Sequence, residues 1–380
     1  MGRQIVILGG GTGGVAAANV LRKALPPGQQ ITLVDKSCSH RFLAALPLLI
    51  VGRRQPRQIT RPLALLQNDN VRFLQAEVKG ISPQEKTVET ECGLLKYDYL
   101  IIALGARRTT NALPGQARFA HDPYDLLEAA RLHETLTRFS RGQVVLFIAG
   151  LPFTGAIAPY ELTFLLREYF NRRGLADRVR LVFVTPEKFP LETGGLTTSH
   201  KYLRLFQKRR IQVITRARVQ AVEKNGLLLE GGRRIPADLI IGIPLHFGPA
   251  LFTSPALRDG QGWLKVNRHT LAMDAQDVYA IGDAVGTPTL PKVGFYAHYE
   301  AEVVARNIAL KIAGEKPRFR FQGGALGASM LTETGRGCFV SLKSFRVPPR
   351  FSISSPNFAA AVTKSLFEKY WLNFWFRPPS

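Results

Sequence analysis

Cysteine is scarce: Cys38, Cys92 and Cys338 are the only three in 380 residues, and no two of them form a C-x-x-C pair. That spacing excludes a disulfide scaffold and points to a reducing compartment. Long apolar runs are missing too. The longest, Leu43 to Val51, is broken by Pro47 and falls far short of the roughly 20 residues that cross a bilayer. Met1-Gly2-Arg3-Gln4 leads straight into the first apolar run, leaving no room for a signal peptide. The seven histidines, His40, His121 and His298 among them, lack metal-ligand spacing, so no metal is expected. No Ser/His/Asp arrangement or nucleophile elbow stands out. Acids are few: 28 Asp+Glu face 51 Lys+Arg, for a net charge of +23. Such a chain seeks an anionic partner. No helix-turn-helix, RNA-recognition or zinc-finger signature appears, and Arg53-Arg54-Gln55-Pro56-Arg57 is short, so nucleic acid is not expected. An anionic membrane surface fits better.

What the chain does have is a glycine loop. Gly9, Gly11 and Gly14, within Gly9-Gly10-Gly11-Thr12-Gly13-Gly14, follow the apolar run Ile5-Val6-Ile7-Leu8. The spacing allows a tight turn out of a strand, close backbone approach to a pyrophosphate and close packing of the next helix. That helix, about Val15 to Leu25, turns its positive N-terminal end toward the phosphate. The second strand, Ile31-Thr32-Leu33-Val34, ends in Asp35, where an acid can accept from a ribose hydroxyl. An adenine dinucleotide is therefore expected on this loop.

A partial copy of the segment recurs later in the chain. An offset of 140 to 141 carries Leu8-Gly9 to Ala149-Gly150, Val71-Arg72-Phe73-Leu74 to Ile211-Gln212-Val213-Ile214, and Ala76-Glu77-Val78 to Ala217-Arg218-Val219. Asp98 falls within one residue of Asp238. The duplication implies two related domains. In the second copy the three glycines become Gly150, Pro152 and Gly155, so a ring without an N–H stands where backbone should meet pyrophosphate. Strand Leu181-Val182-Phe183-Val184 ends in Thr185 rather than an acid, with Glu187 two residues on. Tight NAD(P)H binding is not expected there.

Two further strands end in glycine: Asp98-Tyr99-Leu100-Ile101-Ile102-Ala103-Leu104-Gly105 and Val278-Tyr279-Ala280-Ile281-Gly282-Asp283. With the first loop they resemble the FAD signature of the two-dinucleotide flavoproteins of the glutathione reductase superfamily. The resemblance implies FAD held by Gly9, Gly11, Thr12, Gly13, Gly14, Asp35, Lys36, Val78, Ala103, Gly105, Gly282, Asp283 and Lys292. It also places the N-terminus of the helix opened by Leu290-Pro291-Lys292-Val293-Gly294 at the flavin pyrimidine ring. There Lys292 would stabilise developing negative charge, or else be a solvated lysine at a helix start.

A narrower resemblance is carried by Pro159-Tyr160-Glu161, Val184-Thr185-Pro186-Glu187, Leu290-Pro291-Lys292, Glu333-Thr334-Gly335 and Phe367-Glu368-Lys369-Tyr370-Trp371. Together they look like the sulfide:quinone oxidoreductases and the related flavocytochrome c sulfide dehydrogenase flavoprotein. Those proteins resemble the single-subunit NADH:quinone dehydrogenases. The resemblance implies electron transfer from a small reductant, sulfide or another, through FAD to a quinone. It also places the family's two redox cysteines at Gly155 and Met330, where this chain has none. Glu161 would lie toward the flavin as a desolvated proton carrier, or merely favour its helix N-terminus. A turn near Thr334 would set Cys338 across a hairpin from Met330, either as an unusual reactive thiol or as a packed, inert one.

The tail is basic and aromatic. From Arg336 onward basic residues outnumber acids seven to one, and Trp371 and Trp375 lie close to the end. On a helical wheel from Thr363, the residues Leu366, Phe367, Tyr370, Trp371 and Phe374 share an arc opposite Ser365, Lys369 and Asn373. That arc reads as an interfacial helix stopped by Pro378-Pro379, or as one packed on its own domain or on a second subunit. A homodimer is compatible with it. The expected α/β fold has two tandem Rossmann-like dinucleotide-binding domains of the glutathione reductase type, plus a C-terminal membrane-associating segment. Residues 1–113 and 256–320 form the FAD domain, 114–255 the degenerate NAD(P)-type domain and 321–380 the tail. Function is expected at the cytoplasmic face of a membrane, with three rivals: an NADH:quinone oxidoreductase, a sulfur oxidoreductase using one unusual cysteine, and a non-enzymatic FAD-stabilised scaffold or basic binding protein.

Overall fold

Two parallel sheets organise the chain, and their inner strands are buried on both faces, which is why those strands read as nearly unbroken hydrophobic runs. The computed structural model describes residues 2–68, 70–252, 254–286, 292–323, 325–343 and 350–377. In the first sheet, β1 (Gln4–Leu8) lies between β2 (Gln30–Asp35) and a later strand, Tyr99–Ile102. Ile5 and Ile7 enter one core while Val6 and Leu8 enter another. Helix α1 (Thr12–Ala24) crosses from β1 to β2. Outside β2 runs β3 (Val71–Gln75). An antiparallel wing of β4 (Val78–Ser82), β5 (Thr87–Thr90) and β6 (Gly93–Lys96) precedes the central strand β7 (Tyr99–Ile102).

Helix α2 (Leu126–Arg138), capped by the Asp125 carboxylate, leads to the second sheet. There β8 (Gly142–Ile148) is followed by α3 (Ala158–Arg172), β9 (Val179–Val184), α4 (Gly195–Lys208) and β10 (Ile211–Ile214). A second wing, β11 (Val219–Glu223), β12 (Gly226–Leu229) and β13 (Arg234–Pro236), then precedes β14 (Leu239–Ile243). The two halves share a strand order, with β8, β9, β10 and β14 standing where β1, β2, β3 and β7 stand in the first. The register inferred from the repeat is visible directly: Val71 and Ile211 both open the outer strand, and Val78 and Val219 both open the wing.

The chain enters and leaves the second half side by side, because Arg107–Thr109 pairs antiparallel with Leu245–Phe247. It then returns to the first sheet through β15 (Val278–Ala280) beside β7 and through α5 (Gly294–Ile312), which packs along α1. The tail is an antiparallel sheet of β16 (Ala325–Glu333), β17 (Arg336–Lys343) and β18 (Arg350–Ile353), covered by α6 (Phe358–Phe374). Among the described residues no helix is long and apolar enough to cross a membrane.

Candidate functional site

The first loop is built as a cradle. Three residues, Gly9 to Gly11, turn β1 into α1. Gly9 has φ +104°, and a Cβ there would lie 2.4 Å from the Ala103 carbonyl oxygen, so only glycine lets the end of β7 press against the loop. A Cβ on Gly14 would meet the Gly9 oxygen at 1.8 Å, whereas one on Gly11 would meet nothing within 4 Å. One side of the cradle is therefore closed by protein and the other is open. The open side is fringed by first-turn amides of α1 with no acid among them, which fits an anionic pyrophosphate. The Gly10 N–H donates to Asp35 Oδ2 at 2.6 Å, and the Ser37 N–H to Asp35 Oδ1 at 2.7 Å. Each oxygen keeps a lone pair for a further donor such as a ribose hydroxyl. Lys36 is exposed beside Glu77, Val78 opens the first wing, and Gly105, at φ +68°, has open space where a Cβ would stand.

Gly282 and Asp283 follow β15 beside α5. The Gly282 N–H donates to Glu300 Oε2 at 2.6 Å. Burial raises Glu300 to about 7, and it raises Asp283 to about 6, with the Lys292 charge opposing the shift. Lys292 itself is not solvated. Its ammonium donates to the carbonyl oxygens of Val285 (2.6 Å) and Asp283 (3.2 Å) and sits 3.8 Å from the centroid of the Trp263 ring. Burial lowers it to about 8. The alternative of a solvated helix-start lysine is therefore corrected: the charge is buried and engaged by backbone and indole, and it pins the Gly282–Asp283 turn. The uncapped N-terminus of α5, with no acid in its first turn, remains as a source of positive potential. Leu290 and Pro291 lie outside the described residues.

The second loop is no cradle. Nine residues, 149–157, separate β8 from α3, and instead of wrapping a helix end they reach across to the first half. The Gly155 N–H donates to the Lys292 carbonyl at 2.6 Å, and Thr154 bridges Lys292. Pro152 follows a cis peptide bond. Helix α3 begins Ala158-Pro159 and carries Glu161 in its first turn, so it presents one amide fewer and a carboxylate where a phosphate would need neither. Glu187, the acid nearest the end of β9, is turned inward. It accepts from the Tyr160 hydroxyl, from Thr185 Oγ1 at 2.8 Å and from the Glu192 N–H at 3.2 Å.

Two further expected residues find unexpected surroundings. Glu161, 2% exposed, holds the Lys364 ammonium of α6 at 2.5 and 2.6 Å, and its Oε1 also accepts the Leu331 N–H at 2.8 Å. It is an ion-pair partner tying α3 to the tail. Cys338 does pair with Met330 across the hairpin. Its thiol is wholly buried and burial pushes it up to about 11, so it is the inert thiol of the two readings rather than a nucleophile.

The tail helix starts earlier than expected, at Phe358, with Asn357 accepting from the Ala360 N–H. Trp371 is fully buried and Trp375 nearly so, and both meet His298 of α5 edge to face. Phe367 packs on Phe42 and Phe295. The exposed apolar face is instead Phe358, Val362, Leu366, Tyr370 and Phe374, one residue every four, a continuous ridge along the helix. Aromatics populate both sides of α6, and hydrophobicity alone does not say which side meets protein. What decides it is the buried charges: Lys364 pairs with Glu161, and Glu368 accepts from Arg54 Nε at 2.6 Å. Pro378 and Pro379 lie outside the described residues. The sequence reading also missed His40. Its Nε2 takes the Trp371 indole N–H at 3.0 Å, while its Nδ1 lies 2.9 Å from the Gly10 carbonyl.

The family model for pyridine nucleotide-disulphide oxidoreductases matches residues 3–301. The sulfide-quinone reductase of Aquifex aeolicus (strain VF5) is 27% identical over 98% of this chain and 91% of its own length. The crystal structure of the sulfide:quinone oxidoreductase from Aquifex aeolicus superposes with a TM-score of 0.90 at 25% identity, covering 97% of this chain and 90% of that one. A type II NADH:quinone oxidoreductase of Staphylococcus haemolyticus (strain JCSC1435) is 26% identical over 51% of this chain and 52% of its own.

Proposed function

Because the chain belongs to the pyridine nucleotide-disulphide oxidoreductase family and is an FAD-dependent oxidoreductase, we propose that it passes electrons from a small reductant through FAD to a quinone at a membrane surface, in the manner of a sulfide:quinone oxidoreductase. The contrast between the two loops carries this reading. One closes in three residues around an open, acid-free helix end, while the other spans nine and is bound to Lys292. A flavin site is kept, and a nicotinamide site is not. Similarity to a sulfide-quinone reductase over nearly the whole chain supports the same assignment.

The two matched halves are read as tandem Rossmann-like domains, with 1–113 and 256–320 holding FAD, 114–255 as the degenerate partner and 321–380 as the membrane-facing tail. When bound, FAD supplies a two-electron carrier between donor and quinone. The chain's own residues position it: the amides of Gly11, Thr12, Gly13 and Gly14 at the pyrophosphate, Asp35 and Lys36 at the ribose side, Val78, Ala103 and Gly105 along the nucleotide, and Gly282 and Asp283 toward the flavin. Lys292 acts through the turn it pins. With Gly155 and Met330 at the places the resemblance gives to the paired cysteines, and Cys338 buried, the paired-thiol route is missing from those positions.

The exposed ridge of α6, flanked by Lys23 over the Phe374 ring and by Arg377, is the surface offered to an anionic leaflet on the cytoplasmic side. A second subunit seated on the ridge would compete with lipid.

Anaerobic titration tests the assignment. Sulfide or another small reductant should bleach the flavin absorption and a quinone should restore it, while NADH at comparable concentration leaves the colour unchanged. Stoichiometric bleaching by NADH, or a colourless protein, would overturn it.

A further inference from the structure

The described hydrogen bonds contain a path from the tail into the phosphate cradle. Trp371 can only donate through its indole nitrogen, so His40 Nε2, 3.0 Å away, must be the acceptor. The imidazole proton then sits on Nδ1 and is donated to the Gly10 carbonyl, 2.9 Å away. Burial keeps this ring neutral, with its pKa near 4, so the tautomer is fixed by its neighbours. Gly10 is thereby gripped at both ends, its N–H by Asp35 and its carbonyl by His40.

The peptide joining Gly10 to Gly11 is trans. In a planar trans peptide the carbonyl and the following N–H point in opposite directions. A carbonyl held by His40 therefore turns the Gly11 N–H the opposite way, away from the imidazole, and Gly11 itself borders open space, since a Cβ on it would meet nothing within 4 Å. That N–H has no partner among the described residues. The same tail helix touches α1 again, where the buried Asn19 amide donates to the Trp375 carbonyl at 3.1 Å.

We propose that His40 and Trp371 are positioning residues that aim the Gly11 amide at the dinucleotide phosphate, so that the seating of α6 sets how firmly FAD is held. This rests on the reading that the first cradle binds FAD. It also joins two properties through one helix: the outer ridge of α6 faces a membrane or partner, and its inner tryptophan fixes the cofactor loop.

The rate of FAD release tests it, read from the rise of flavin fluorescence after dilution of purified holoprotein. Trp371→Phe keeps an aromatic ring but removes the donor, and His40→Phe removes the link; each should release FAD about tenfold faster, the order expected for one well-aimed hydrogen bond. His40→Asn keeps a side-chain N–H in reach of the Gly10 carbonyl but gives up the Trp371 link, so its release rate should fall between those of the wild type and His40→Phe, a partial rescue that a merely space-filling role would not produce. Wild-type release rates in Trp371→Phe and His40→Phe, or an Asn variant as fast as the Phe variant, would overturn the proposal. Wild-type protein that carries no FAD would overturn it together with the functional reading. Failure to reduce quinone with normal FAD release would count against the functional reading alone.

Discussion

Replacing Lys364 with methionine keeps most of the apolar stem and removes the ammonium that both Glu161 oxygens hold. Glu161 would retain the Leu331 N–H as its partner. It would be a carboxylate sealed from water, since the two side chains of the native pair are 3% and 8% exposed. Removing one member of such a pair typically costs about 3–5 kcal/mol, whereas replacing both by neutral groups costs far less. Lys364→Met should therefore lower the free energy of unfolding by about that amount. Glu161→Gln in the same background should recover most of the loss, because a glutamine oxygen can still accept from Leu331. Equilibrium urea unfolding of the wild type, both single variants and the double variant yields the coupling directly. Hydrogen exchange should locate the damage, with the amides of α6 exchanging faster first. The reasoning is refuted if Lys364→Met costs less than about 1 kcal/mol, or if the double variant is no more stable than Lys364→Met.

Gly11→Ala should fold normally, because its Cβ enters empty space, yet lose flavin because that space is the phosphate's. Gly14→Ala, at 1.8 Å from the Gly9 oxygen, should instead lower the melting temperature and the yield of folded protein, and equal behaviour of the two would contradict the cradle. Burial raises Glu300 from 4.5 to about 7, so the folded protein keeps a proton that the unfolded chain has released, and this group's contribution to stability falls as pH rises through that window. Glu300→Gln removes the dependence, and the melting-temperature difference between variant and wild type should shift in the variant's favour from pH 5 to pH 7.5. A difference that stays constant would contradict the burial of that carboxyl. Finally, Leu366→Glu should weaken sedimentation with phosphatidylglycerol vesicles by at least about tenfold, the scale of losing one large apolar contact; unchanged binding would remove α6 from the membrane-facing role.

Where signal is local in sequence, the chain announces its structure. The glycine loop, the inner strands and the hairpin that opposes Met330 to Cys338 all follow from spacing within a few residues or from repetition at a constant offset. The repeat was informative because the outer strands, Val71 to Leu74 and Ile211 to Ile214, keep both their burial and their place in the sheet. What could not be read was pairing at long range. Nothing near Glu161 announces Lys364, and nothing near His40 announces Trp371, because those contacts depend on how the tail docks. The surroundings of Lys292 were hidden for a related reason: its attraction to Trp263 and to two carbonyl groups is visible only after the chain has returned to the first sheet.

The ribbon formed by Arg107–Thr109 and Leu245–Phe247 makes the second half a cassette. Both its ends meet at one place, so length changes within the half leave the flanking strands in register, while its apolar residues share one core with the first half. A short turn joining residue 107 to residue 247 is accordingly the natural place to attempt excision and to ask whether the remaining half still takes up a coloured cofactor.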